Sequence, residues 1–132
     1  MIEEFKRKTI VSYKDIEAYQ NSYAAAIRIF KELLPKLPNS EKYDLKDQMS
    51  RACKAIPRLI AEGYAKRHQK MGFQKYLDDA MAESNEMVVC LLQCRDIFNI
   101  VCDDLIDIYD KTGRQLYKLS MSWTNFKTRV VS

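Results

Sequence analysis

Apolar side chains recur every three or four residues along nearly the whole chain, and little interrupts them. Three glycines and three prolines among 132 residues are too few to punctuate a turn-rich sheet protein. A period near 3.6 sustained this long marks amphipathic helices, because it gathers one apolar stripe on one face. The first stripe reads Tyr13, Ile16, Gln20, Tyr23, Ile27, Phe30, Leu34 and Leu37. Ser12 is its N-cap, with Asp15 completing a capping box, and Pro35 and Pro38 end it. The second stripe, opened by Asp44, reads Leu45, Met49, Ala52, Ile56, Leu59 and Gly63. The third reads Phe73, Leu77, Ala80, Ser84, Met87, Leu91, Cys94 and Phe98, and stops at Asn99, which tolerates left-handed backbone. The fourth begins at Asp103 or Asp104, where a carboxylate suits the helix dipole. It follows Leu105, Ile108, Thr112, Leu116, Leu119, Trp123 and Phe126.

Helices over residues 12–36, 44–67, 70–98 and 103–126, with short links, predict an all-α fold. The expected architecture is one domain over 1–132, a single antiparallel up-down-up-down four-helix bundle. No apolar run approaches the roughly 20 residues that span a bilayer, and "MIEEFKRKTI" has no signal-peptide core. A cytoplasmic protein without membrane contact is expected. Beside the stripes lie Tyr19, Tyr23, Tyr76, Cys90, Ile97, Ile106 and Tyr117. Apolar surface beyond what one core needs predicts contact with a second copy of the chain, the plainer reading being residues at helix borders.

The segment "IPRLIAEGYAKR" places Pro57, Glu62 and Gly63 in an otherwise helical pattern. Pro57 has no amide for the Cys53 carbonyl, which predicts a kink in helix two. Gly63 falls on the inward stripe, where the missing side chain lets a neighbouring helix come close. Glu62 adjoins that stripe and is expected to be partly buried against a donor.

Cys53, Cys90, Cys94 and Cys102 form no C-x-x-C pair, and His68 is the single histidine. Four small core thiols are the expected role, with no metal and no cofactor. One histidine also excludes the Glu-x-x-His pairs of a di-iron bundle, and no glycine-rich phosphate loop is present. Glu62 and Glu86 are a carboxylate pair that could face each other in the core, and the expected role is to cap or to satisfy buried donors such as Arg51 or a tyrosine rather than to catalyse. No enzymatic activity is expected.

Charge is strongly segregated. Residues 39–75 carry nine basic and four acidic side chains, whereas residues 76–110 carry one and nine. The basic block includes Lys42, Lys46, Arg51, Lys54, Arg58, Lys66, Arg67, Lys70 and Lys75, interleaved with Tyr43, Tyr64 and Tyr76. Arg51, Lys54 and Arg58 share a helical face. Such a block suits RNA or DNA, with lysines and arginines on phosphates and tyrosines stacked on bases. It also suits the acidic Asp78, Asp79, Glu83 and 103–110 region of another subunit.

"LKDQMSRACKAIPRLIAEGYAKR" followed by "FQKYLDDAMAESNEM" resembles the 23S rRNA intervening-sequence protein family, a family of four-helix-bundle proteins. The matching residues are Gln48, Arg51, Ala52, Ile56, Pro57, Ile60, Ala61, Glu62, Gly63, Phe73, Leu77, Ala80 and Glu86. Leu59 departs from the asparagine frequent in the family. The resemblance implies a ring-like homo-oligomer, commonly a pentamer, with no established enzymatic activity. A more distant likeness, to the accessory protein of diversity-generating retroelements, implies engagement of nucleic acid. The function expected is a non-enzymatic, homo-oligomeric nucleic-acid-binding or ribonucleoprotein accessory factor. The alternative is a structural or adaptor oligomer with a protein partner, its basic face used in self-assembly.

Overall fold

Why the chain folds where it does begins at Ser12 and Asp15. The computed structural model describes residues 9–131. Asp15 Oδ2 accepts from the backbone amides of Val11 at 2.9 Å and Ser12 at 3.0 Å, and Ser12 Oγ accepts from the Lys14 amide at 3.2 Å. The capping box therefore forms, but it closes a single 3-10 turn, Tyr13–Asp15. Ile16 is then extended, with φ −75° and ψ 121°, so the first helix, α1, starts later than expected and spans Glu17–Arg28. A π-helical turn, Ile29–Leu33, and a 3-10 turn, Leu34–Lys36, continue it. Leu37 before Pro38 is extended, as the proline ring requires.

Helix α2 spans Leu45–Ala65, α3 Gly72–Phe98 and α4 Asp103–Val131. No strand occurs among the described residues. Asn99 takes the left-handed conformation at φ 56°, and the Ile100 amide bonds the Cys94 carbonyl at 3.2 Å, closing α3 as its sequence predicts. Met71, also left-handed at φ 57°, turns the chain into α3. Phe126, assigned to the fourth stripe, has a side chain outside the described residues.

Each helix packs on two others: α1 on α2 and α4, and α3 on α2 and α4. The pairings run the length of the bundle. Met49 Sδ lies 3.7 Å from Cys94 Sγ, and Gly63 lies against Tyr76. Ser84 Oγ donates to the Tyr109 carbonyl at 2.7 Å, and Gln74 Nε2 to Thr124 Oγ1 at 3.3 Å. Asn21 Nδ2 donates to Gln115 Oε1 at 3.1 Å, and Arg28 pairs with Asp104 at 2.5 Å.

The core contains Met49, Ile56, Ile60, Phe73, Leu77, Met87, Leu91, Tyr109 and Leu116, all fully buried. Each such large side chain contributes about 1.5–3 kcal/mol relative to exposure. All four cysteines are buried and unpaired. Burial pushes the Cys53 and Cys90 thiols up to about 11 and Cys94 up to about 12. At one end, Tyr64, Phe73 and Trp123 form an edge-to-face aromatic cluster with ring centroids 5.1–6.5 Å apart.

Helix α1 departs from its predicted face. Its inward residues are Ala18, Ser22, Ala25 and Ile29, followed by Leu33 and Leu37. Tyr23, Ile27 and Phe30, expected inside, are 53, 44 and 42% exposed. The helix carries two apolar stripes, one of small side chains and one of large. The small stripe lets α1 lie close on its neighbours, which excludes the large one from the core. The π-turn adds a residue to the winding, and Ile29, Leu33 and Leu37 all then point inward.

Candidate functional site: a basic turn and an aromatic groove

The large stripe of α1 and the outer face of α2 enclose a groove of about 600 Å³. Tyr13, Tyr19, Tyr23, Ala26, Ile27, Phe30, Pro57 and Ala61 line it, with Lys31, Lys54 and Arg58 as its only charged lining residues. Tyr19 holds its neighbours in a row, at 5.0 Å from Tyr13 and 5.9 Å from Tyr23 between ring centroids. Burial, first, then proximity of the other two phenols raises the Tyr19 pKa. The Lys54 ammonium sits 5.5 Å from the Phe30 ring centroid. Periodicity alone places Tyr13, Tyr23, Ile27 and Phe30 on the core stripe. The only signal for the groove was the surplus of tyrosine beside that stripe.

The basic block divides into two groups in space. Arg51, Lys54 and Arg58 are all exposed on α2. Arg51 is already paired with Asp47 at 2.6 Å, and Arg58 Nε donates to the Lys54 carbonyl at 3.2 Å. Lys46 is half-buried in the first turn of α2. The second group lies at the other end of α2, in the turn to α3. Lys66 Nζ donates to the Tyr76 hydroxyl at 2.6 Å and lies 4.9 Å from that ring's centroid, which raises its pKa. Arg67 covers the Tyr64 ring at 4.0 Å and donates to the Tyr64 carbonyl at 2.8 Å. His68, Lys70 and Lys75 are exposed. Gly72 keeps the turn tight, since a Cβ there would meet the Lys66 carbonyl oxygen at 2.0 Å. From Gly63 to Leu77 the chain has four Lys/Arg and no acidic residue. Tyr64, expected to stack on bases, is only 8% exposed and belongs to the aromatic cluster, whereas Tyr43 is 86% exposed.

The remaining motif residues have structural places. Ile56, Pro57, Ile60 and Gly63 are buried, and Ala61 is half-buried at the groove. Gln48 is exposed, its Oε1 4.0 Å from the Cys90 thiol. Glu62 and Glu86 overturn the expectation of a buried pair, because both are exposed. Helical phase explains this: Gly63 and Met87 take the inward positions and the preceding glutamates turn outward. Glu62 accepts only a long bond, 3.5 Å, from the Tyr76 hydroxyl. The crowded carboxylate is Glu83, whose pKa is raised by burial first, then by Glu86 and Asp79.

Among the described residues, no helix is long and apolar enough to cross a membrane, and no cluster of three or more ligating side chains is placed to hold a metal. Comparison with curated proteins and with solved structures returned no match. The family model described as 23S rRNA-intervening sequence protein matches residues 14–120, a span that includes α1 to α3, the groove apart from Tyr13, the basic turn and most of α4. The chain belongs to the 23S rRNA-intervening sequence protein family.

Proposed function

We propose that this protein is a non-enzymatic, cytoplasmic, homo-oligomeric accessory factor that binds single-stranded RNA or DNA, with the turn between α2 and α3 as its nucleic-acid face. The bundle is read as antiparallel and up-down-up-down, bent in α2 where Pro57 leaves the Cys53 carbonyl without a helical amide. Contacts of Met49 with Cys94 and of Gly63 with Tyr76 support opposite directions for α2 and α3. Family resemblance supports a pentamer.

The observation that carries the nucleic-acid reading is the basic turn, whose residues 63–77 contribute no carboxylate of their own. Lys66, Arg67, Lys70 and Lys75 cluster at one end of the bundle, with Lys70 and Lys75 exposed. In a ring each copy would add another set, and repeated cationic turns suit a phosphate backbone read without base preference. The test is anisotropy of labelled mixed-sequence RNA and DNA against salt, beside the solution mass. Lys70→Glu with Lys75→Glu should weaken binding similarly for all sequences and flatten the salt slope by about 1–2 ions. Wild-type affinity in that variant, at unchanged mass, would refute the assignment.

A second reading, assembly or docking on a protein partner, is favoured by one observation. Lys54 and Arg58 border an apolar groove rather than an open polar track.

A further inference from the structure

We infer that the α1–α2 groove receives the outward acidic face of α3 from a second copy of the chain, head to tail. The inference rests on the homo-oligomer reading above and names the two surfaces that meet. The groove offers aromatic and aliphatic floor with cations alone at its border: Lys31, Lys54 and Arg58. None of the three forms an ion pair among the described residues. An occupant must therefore bring an apolar ridge flanked by carboxylates.

One such ridge exists on this chain. Along α3, Ala82, Glu86 and Val89 follow one another at four- and three-residue spacing, all exposed, with Val89 at 52%. Asp79 and Glu83 stand beside them, and no lysine or arginine occurs between Lys75 and Arg95. These carboxylates have no ion-pair partner among the described residues. Glu83 is held above its usual range by burial and by its acidic neighbours, a condition that incoming cations relieve. Val89 supplies the apolar contact, and Lys31 and Lys54 of the incoming groove add cations to the ridge. The ridge's own neighbouring cation is Arg58, which lines the cleft beside Asp79 and Glu83 without an ion pair among the described residues.

The two surfaces are different patches, so the contact is heterologous. They lie on neighbouring sides of the bundle with α2 between them; Arg58 borders both the groove and the cleft holding Glu62, Asp79 and Glu83. Contacts between non-opposite sides rotate each copy relative to the last, which gives a ring when the rotation closes and a helical filament when it does not, and the solution mass distinguishes the two.

The test is light scattering on the full chain at one micromolar-range concentration, with circular dichroism to verify folding. Wild type should give a multiple of 15.5 kDa. Lys54→Glu with Arg58→Glu should give monomer, as should Glu83→Lys with Glu86→Lys. An equimolar mixture of the two variants should recover associated species, because each reversed groove then meets a reversed ridge. Either variant keeping the wild-type mass overturns the inference, as does a mixture of folded variants that stays monomeric. Unchanged mass with lost RNA affinity would assign the groove to nucleic acid instead. A monomeric wild type would refute the homo-oligomer reading itself, a distinct result. Carbodiimide coupling of mixed light and 15N-labelled wild type gives a check without substitutions: Lys54 should join Glu83 or Glu86 across isotope labels. Coupling confined to one label refutes the contact.

Discussion

Alanine placed at Gly63 and at Gly113 should move stability in opposite directions, although both glycines lie inside helices. A glycine-to-alanine change in a helix interior contributes about 0.5–1 kcal/mol through backbone entropy alone. At Gly113 nothing opposes that gain, since the new Cβ would lie 3.7 Å from Ser84 Oγ and 3.9 Å from Asn85 Oδ1, ordinary contact distances. At Gly63 the new Cβ would stand 2.5 Å from the Tyr76 Cβ and 3.2 Å from Phe73 Cδ1. The Tyr76 Cβ is fixed to the α3 backbone, so no rotamer change removes the clash and the helices must part by about 1 Å to reach normal carbon spacing. Overpacking of this kind costs about 1–3 kcal/mol, which exceeds the helical gain. Gly63→Ala is therefore expected to lose about 1 kcal/mol net, and Gly63→Leu more, while Gly113→Ala gains about 0.5–1 kcal/mol. In melting temperature these are shifts of about 3–5 °C per kcal/mol. Urea and thermal unfolding at one fixed protein concentration provide the assay, because the stability of any protein that assembles depends on concentration. A Gly63→Ala protein as stable as wild type would refute the close approach of α2 and α3 there.

Three further expectations concern the core and one charge network. At pH 8 a thiol at about 11 is ionised to about one part in a thousand, so iodoacetamide should label no cysteine in the native protein and all four in urea; a stoichiometric native label would contradict the packing. Tyr109 is fully buried and its hydroxyl has no partner among the described residues, so Tyr109→Phe should raise stability by about 1 kcal/mol, and a clear loss would reveal a bond. Arg28 hydrogen bonds hold Glu32 and Asp104 below the usual carboxylate range, which adds stability above their unfolded pKa values and loses it as pH falls. The urea midpoint gap between wild type and Arg28→Ala should thus be present at pH 7 and shrink progressively as pH falls below about 4; a gap that widens in acid would reverse the sign.

Helix existence, helix order and most of the core were legible from the residues alone. Periodicity near 3.6, Asn99 as a left-handed stop, the inward phase of Gly63 and the burial of four cysteines each follow from local chemistry, and local chemistry is what a sequence states directly. The face of α1 was not legible. Tyr23, Ile27 and Phe30 look more core-like than Ala18, Ser22 and Ala25, and periodicity accepts either stripe. Only packing chose between them: small side chains let three helices close on one another, and the large stripe was left to line a groove. The same held for Glu62 and Glu86, one position away from buried Gly63 and Met87 yet outside, because a step of 100° per residue separates core from solvent. Charge was readable as composition but not as surface. Pairing of Arg51 with Asp47 is an i,i+4 contact within α2 that follows from order along the chain, whereas the place of Lys54 and Arg58 beside the α1 aromatics depends on where helices lie in space, and that is settled by tertiary packing.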